Sequence, residues 1–578
     1  MHARRPGTLR RALSLTLATA LPAALLVTAA ATVGTAATAA AAASGGTVVI
    51  ALPPLVDINW YNPLRPAAYN SLYDSWAAGF MYMPLLSVNG KGAIDFQDSV
   101  AKSVSANAAG TVFTVDMNPK YHWSNGAPVT AQDMLFCWNL IKYASSSAAP
   151  TPWPYSGAGS GDIPTGVKAF KVTGTYSFQV TLDSPANALW FEYDGLSQLL
   201  PLPAQAWDKY PTNMAKELNY LTQNGNNPAF FKVIDGPFAM KAAVNDSAWT
   251  FVPNPRFSGH KASISQLILG YETSDQNELD QLRQGVVQIG YIDQAELSDQ
   301  RLLTKDRLMT GYGDGFTRIF LDFGNPTVGP LLSQLPVRQA MEMGINQTQI
   351  IKDIDRGYAV YGAGPVPHSQ PSLLAPGMTK PPYPFNPAEG KAVLERAGYH
   401  LVNGVMTNAK GQQLSFVMQY VSGNPETQSI VQLIQADWAK EGIKITLEPE
   451  PFANMVALHD KADASKWEIQ AGVSWDWGGD YPTGEGIFET GAPYNFYQFS
   501  NPTLDKLIQA SIKPYKTSAQ SVAALKAYEV YVSKVLPVLW MPYAATLEEV
   551  STSLKGVNST SLNLFTDSFW PQYWSISQ

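Results

Sequence analysis

The sequence predicts an α/β fold. Two observations carry the prediction. Helical and strand periodicities interleave through residues 311–540, the pattern of helices laid on the faces of a sheet. The chain has 578 residues, which at roughly 100–200 residues per unit means two to four folded units. It is 46% hydrophobic and only 15% charged, so a sizeable core is affordable. Pro 42 and Gly 44 add many turns and long loops.

The elements follow in chain order. Residues 1–43 stand apart. "MHARRPGTLRR" is a basic opening, and a long apolar, alanine-rich run ends in an A-x-A site at Ala41–Ala43. This reads as an export signal, cleaved ahead of Ser44. A retained membrane anchor is the other reading, because the run is long enough to span. "TVVIAL" (47–52) is a buried strand, and "YNPLRPAAYNSLYDSW" a loop entering a helix. "TVFTVDM" (111–117) and "YSFQVTL" (176–182) alternate as half-buried strands. Between them, Thr130 and Asp133 have capping-box spacing, and Met134, Trp138 and Ile141 form a helical stripe. Residues 144–166 are a Ser/Pro/Gly-rich surface loop. Later, Asn386-Pro387 and Asn501-Pro502 start helices, Gly398 and Gly442 end them, and "IKITLEP" alternates as a strand.

Charge and cysteine content exclude several functions. The formal charge is −7, and without Arg4, Arg5, Arg10 and Arg11 the body is more acidic still. That disfavours nucleic acid and anionic lipid as partners. Cys137 is the single cysteine, so no intrachain disulfide is possible, and a buried inert thiol is expected. No cysteine follows the apolar run, which leaves the usual bacterial lipid anchor without an attachment point. The six histidines are scattered, and no metal-ligand spacing, nucleophile elbow or phosphate-binding loop is present. No catalytic residue, metal or cofactor is expected.

One stretch stands out: "VSWDWGGDYP", Val473 to Pro482. It has three readings. Tryptophans beside a few polar groups suit the floor of a binding pocket. A loop could instead cover the core, its aspartates capping local N–H groups. Asp476 and Asp480 could also be a glycosidase-like carboxylate pair. Gly478, Gly479 and Pro482 argue against a helix that would place both carboxylates on one face.

The order of motifs resembles the extracellular solute-binding proteins of family 5, the oligopeptide- and dipeptide-binding type that serves ABC importers. "WSNGAPVTAQD" (Trp123 to Asp133) is similar to that family's signature, and "DGPFAMK", "VPNPRFSG", "LPVRQAMEMGINQTQII", "NPAEGKAVLERAGY" and "LPVLWMPYA" follow in the family's order. "DGPFAMK" lacks the first glycine and the tyrosine of its counterpart. The resemblance implies a two-lobed periplasmic-binding-protein-like fold with an extra subdomain in the first lobe. It places the first lobe at 44–311, with the insertion at about 96–228, the second at 312–540, and a return to the first over 541–578.

It also implies a W-x-x-D element at the cleft, matched by Trp477 and Asp480. Asp480 would pair with a ligand ammonium and Trp477 would supply contact area. Asp476 has no match and reads as a loop cap. Trp475, Tyr69 and Asn70 are further ligand-binding candidates. Trp153 and Tyr155 lie in a loop that could reach the cleft. Arg338 and Arg356 could meet a carboxylate but sit in structural segments, Arg338 in a salt bridge. The implied function is capture of oligopeptides by a monomer for delivery to ABC permease subunits. An oligosaccharide is the alternative ligand, and a secreted hydrolase the alternative class.

Overall fold

The computed structural model describes residues 45–577 except positions 55, 67, 68, 293, 460 and 493. The export signal expected over 1–43 lies outside the described residues.

Three larger sheets organise the chain. The first has seven strands. Edge to edge they are Asp306–Gly311, Thr546–Ser551, Ile289–Tyr291, Thr47–Ala51, Gln266–Gly270, Ala248–Pro253 and Phe238–Val244. Thr47–Ala51 runs parallel to both its neighbours, and the outer strands are antiparallel. A four-stranded antiparallel sheet, built from 101–182, forms a subdomain beside it. The third sheet has five strands in the order Lys444–Glu450, Ser415–Val421, Ile469–Asp476, Gly315–Leu321 and Val538–Met541.

The five-stranded sheet is covered on both faces, as interleaved helices require. Side chains alternate along Gly315–Leu321. Phe316 and Phe320 join the apolar cluster shared with the first sheet and the subdomain. Ile319 and Leu321 join a second cluster with Met341, Ile434 and Trp438. The chain crosses between the two large sheets twice, and the crossings are neighbours. Gly311 pairs with Thr546 in the first sheet, and Thr317 with Met541 in the other.

Local signals form as their chemistry dictates. Thr130 and Asp133 make a capping box at the start of Ala131–Ala144, and Met134, Cys137, Trp138 and Ile141 are buried along it. Asn386, Asn424 and Asn501 each accept a backbone N–H at the start of a helix with proline in its first turn. Gly442 closes the long helix Pro425–Glu441 in the left-handed conformation. One expectation is corrected: among the described residues Arg338 makes no salt bridge. Its guanidinium donates to the carbonyls of Leu332 and Val535 and lies against Phe323 and Phe499. Leu332 and Val535 are each the last residue of a helix, where carbonyls lack an intrahelical partner, so the guanidinium serves them instead of a carboxylate. Among the described residues no helix is long and apolar enough to cross a membrane.

Candidate functional site

The strand Ile469–Asp476 runs out into the segment that holds the W-x-x-D element. The turn is fixed from below by one carboxylate. Asp314 is fully buried, and its backbone carbonyl accepts the Trp477 N–H at 2.6 Å. Its side chain accepts the Gly479 N–H at 3.0 Å and the Gln370 amide at 2.7 Å. The Asp476 carboxylate caps the Gly478 N–H at 2.8 Å, the loop-cap role expected of it. Gly479 has φ +99°, and a Cβ there would meet Val88 at 3.3 Å, so this position suits only glycine.

Above the turn lies a cavity of about 440 Å³, within the range of small-molecule sites of roughly 300–1,000 Å³. Gly478, Gly479 and Asp480 form one wall. The facing walls come from Arg65, Trp76, Tyr155, Tyr193, Asp567 and Trp570, together with aliphatic groups such as Leu86 and Val88. The cavity thus lies between the segment after the five-stranded sheet and residues attached to the other two sheets.

Carboxylates dominate the surroundings. Burial pushes the Asp480 carboxyl up to about 7, and the nearby Asp476 charge adds to the effect. Asp567 is also raised to about 7, by burial and then by Asp476. Asp194, buried behind the turn, accepts the Tyr481 N–H at 2.5 Å, and burial and Asp480 raise it well above the ordinary carboxylate range. Glu485, raised by burial to about 8, accepts the Trp190 indole N–H at 2.9 Å. Clustered carboxyls share too little water to ionise together. Among the described residues, neither Asp480 oxygen accepts a hydrogen bond, and both are free for a ligand.

The five sequence candidates fall in different places. Asp480 lines the cavity. Trp477 lies beneath it, 8% exposed, its indole N–H donating to the Pro365 carbonyl at 2.9 Å. Trp475 stands edge-on to Trp477 at 5.8 Å and to Tyr494 at 4.9 Å, on the sheet face that carries Phe316. Tyr69 stacks on Trp60 at 4.7 Å, and Asn70 accepts a long hydrogen bond from the Arg65 Nε at 3.4 Å. Neither lines the cavity: Asn70 stands behind Arg65, which does, and Tyr69 packs on Trp60. In the 144–166 loop, Tyr155 reaches the cavity, whereas Trp153 packs against Trp60 and donates to Thr222. The sequence reading missed Arg65, Trp76, Asp567 and Trp570. The aromatic-rich ending "TDSFWPQYW" is the signal that could have pointed to the last two.

Among the described residues, no group of His, Cys, Asp and Glu side chains has the geometry to hold a metal ion. Binding by shape, charge and aromatic contact is what this site offers.

Comparison with known proteins agrees with that chemistry. Residues 95–498 match the family model for bacterial extracellular solute-binding proteins, family 5. The chain belongs to that family. A dipeptide-binding protein of Lactococcus lactis subsp. cremoris is 25% identical over 527 residues, covering 83% of this chain and 89% of the relative. The fold is similar to that of the oligopeptide-binding protein AppA of Bacillus subtilis, solved with a nonapeptide. The TM-score is 0.72 at 16% identity, covering 93% of this chain and 99% of the other. It is also similar to a Helicobacter pylori periplasmic binding protein, DppA, solved with the peptide STSA. There the TM-score is 0.70 at 16% identity, covering 92% and 98%.

Proposed function

We propose that this protein captures peptides in the cavity above the Trp477–Asp480 turn and presents them to the permease of an ABC importer. The observation that carries the reading is the Asp480 carboxylate, open to the cavity with no hydrogen-bond partner among the described residues. A peptide ammonium would complete it with a charge-assisted hydrogen bond. Trp477 supports this by anchoring the turn from below, and the relatives' peptide ligands favour the same class.

In this reading the protein binds without turnover and works as a monomer. The first lobe comprises residues 44–311 and 541–578, with the subdomain inserted, and the second lobe 312–540. The leader 1–43 exports it, and the mature chain starts near Ser44. N-terminal sequencing of the cell-surface and culture fractions tests that location. Intact leader found only in membranes would overturn it.

Native mass spectrometry of the purified protein tests the ligand class. The expected result is retained peptide, released on denaturation. A second reading, an oligosaccharide, is favoured by Trp76, Trp570 and Tyr193 in the walls, whose rings suit sugar faces. A retained neutral sugar would establish that reading instead.

A further inference from the structure

Arg65 has the one cationic side chain among the described residues that line the cavity. It is half-buried, and among the described residues it makes no ion pair. Its single hydrogen bond there is the long one to Asn70. Asp74, whose charge it feels, is already committed to the backbone N–H groups of Asn59 and Trp60, both at 3.0 Å. A half-buried guanidinium with five donors and one long bond is short of an acceptor.

Beside it lies a second unfilled group. Tyr155 is 9% exposed, lines the cavity, and its hydroxyl has no hydrogen-bond partner among the described residues. The two are held together by backbone. Ser156 N–H donates to the Arg65 carbonyl at 2.9 Å, and Pro66 bridges to Tyr155. Gly157 lets the ring sit there, because a Cβ would meet Tyr155 at 2.9 Å and the Gln198 amide oxygen at 2.2 Å. Tyr155 feels both the Arg65 and the Asp480 charges, yet Arg65 and Asp480 form no ion pair with each other. The cavity therefore holds an unspent cation and an unspent carboxylate with a phenol near both.

We propose that Arg65 and the Tyr155 hydroxyl receive the carboxylate of the ligand, so that the protein selects short zwitterionic peptides whose two termini both lie in this one cavity. The inference rests on the reading that Asp480 takes the ammonium. It adds a second charged contact in the same cavity, and it limits length. A long peptide cannot place both ends here, because each residue adds up to roughly 3.3–3.6 Å.

Calorimetry on the full-length mature protein with alanine peptides tests it. The probes are Ala-Ala, its C-terminal amide, its N-acetyl derivative, and tetra- and hexa-alanine. Amidation should weaken binding to the wild type by about ten- to a hundredfold. Arg65→Gln should bind the free acid that much more weakly and be nearly indifferent to amidation, while Arg65→Lys should recover part of the preference. Tyr155→Phe should weaken the acid severalfold and the amide little. Hexa-alanine should bind more weakly than Ala-Ala. Equal binding of acid and amide by the wild type overturns the proposal without reference to any variant. So does an Arg65→Gln that weakens both alike, or a hexa-alanine as tight as Ala-Ala. Should acetylation prove harmless while amidation still costs affinity, the Asp480 reading fails and the Arg65 site stands. No binding of any of these peptides at roughly millimolar concentration overturns both.

Discussion

Asp480 and Asp314 illustrate two uses of a carboxylate a few residues apart in space. Asp314 spends its oxygens on Gly479 and Gln370. Asp480 spends neither. Asp480→Asn keeps the shape and removes the charge, so affinity for a peptide with a free amino terminus should fall by about 1.5–3 kcal/mol, ten- to a hundredfold. An N-acetylated peptide should be indifferent, and titration calorimetry on both separates charge from contact. The same variant should melt no lower than the wild type at pH 8, since it removes a carboxyl that burial and Asp476 hold up at about 7. Asp314→Ala should behave oppositely. It leaves the Gly479 N–H and the Gln370 amide without their partner, at about 1–3 kcal/mol for each buried group. Thermal denaturation should show the loss before any ligand is added.

At the scale of elements, the turn 477–480 holds two glycines in the left-handed region, one of them against Val88. Gly479→Ala should push the backbone out of its left-handed conformation and press on Val88. Peptide affinity should drop at least as much as stability, because the Asp480 carboxylate moves with the turn. Comparing the ligand-free melting temperature with the dissociation constant checks this. Helices and strands were legible in the sequence because their signals are local. The capping box of Thr130 and Asp133, the Asn-Pro starts and Gly442 each act within a few residues, and each is where it was read. Of the W-x-x-D element that the resemblance implied, Asp480 lines the cavity and Trp477 does not. The opposite wall was not legible. Arg65 becomes a cavity residue only because a loop some ninety positions later bridges to its neighbour Pro66, and Asp567 because the chain's end folds back onto the first sheet's side. Nor does spacing reveal that Trp477 spends its N–H on Pro365, and so lies outside the cavity's lining rather than in its wall.

For the whole molecule, pH and motion are both set by where the charges are buried. The carboxyls of Asp480, Asp567, Glu278, Glu441 and Glu529 are all raised, chiefly by burial, to values from about 7 to about 9. A folded-state value above the unfolded one favours the protonated fold. That contribution is complete below the ordinary carboxylate value near ~4 and is lost as pH rises through the folded values. His368 and His459, lowered by burial, act at and below the ordinary histidine value. The melting temperature of the ligand-free protein should therefore fall between about pH 7 and 9. Stabilisation by a peptide with a free amino terminus should grow from about pH 5 to 7, as Asp480 ionises, and fall again above about pH 8, where the peptide's own amine loses its proton. Closure gives a further expectation. The segment 187–194 already grips 481–512, with Asn187 on Ser511, Trp190 on Glu485 and Asp194 on Tyr481. Ligand should shift the population toward this arrangement, reducing the scattering radius and raising the melting temperature. No change in either at saturating peptide would count against a clamp. Following such a motion in real time calls for probes at chosen positions, and the lone thiol decides how simply that is done. Cys137 is fully buried in its helix, and burial pushes it up to about 12, so it is neither exposed nor ionised at neutral pH. Thiol-reactive spin labels or dyes should pass it by, and a pair of cysteines introduced on the two sides of the cavity can be tagged in the otherwise native sequence.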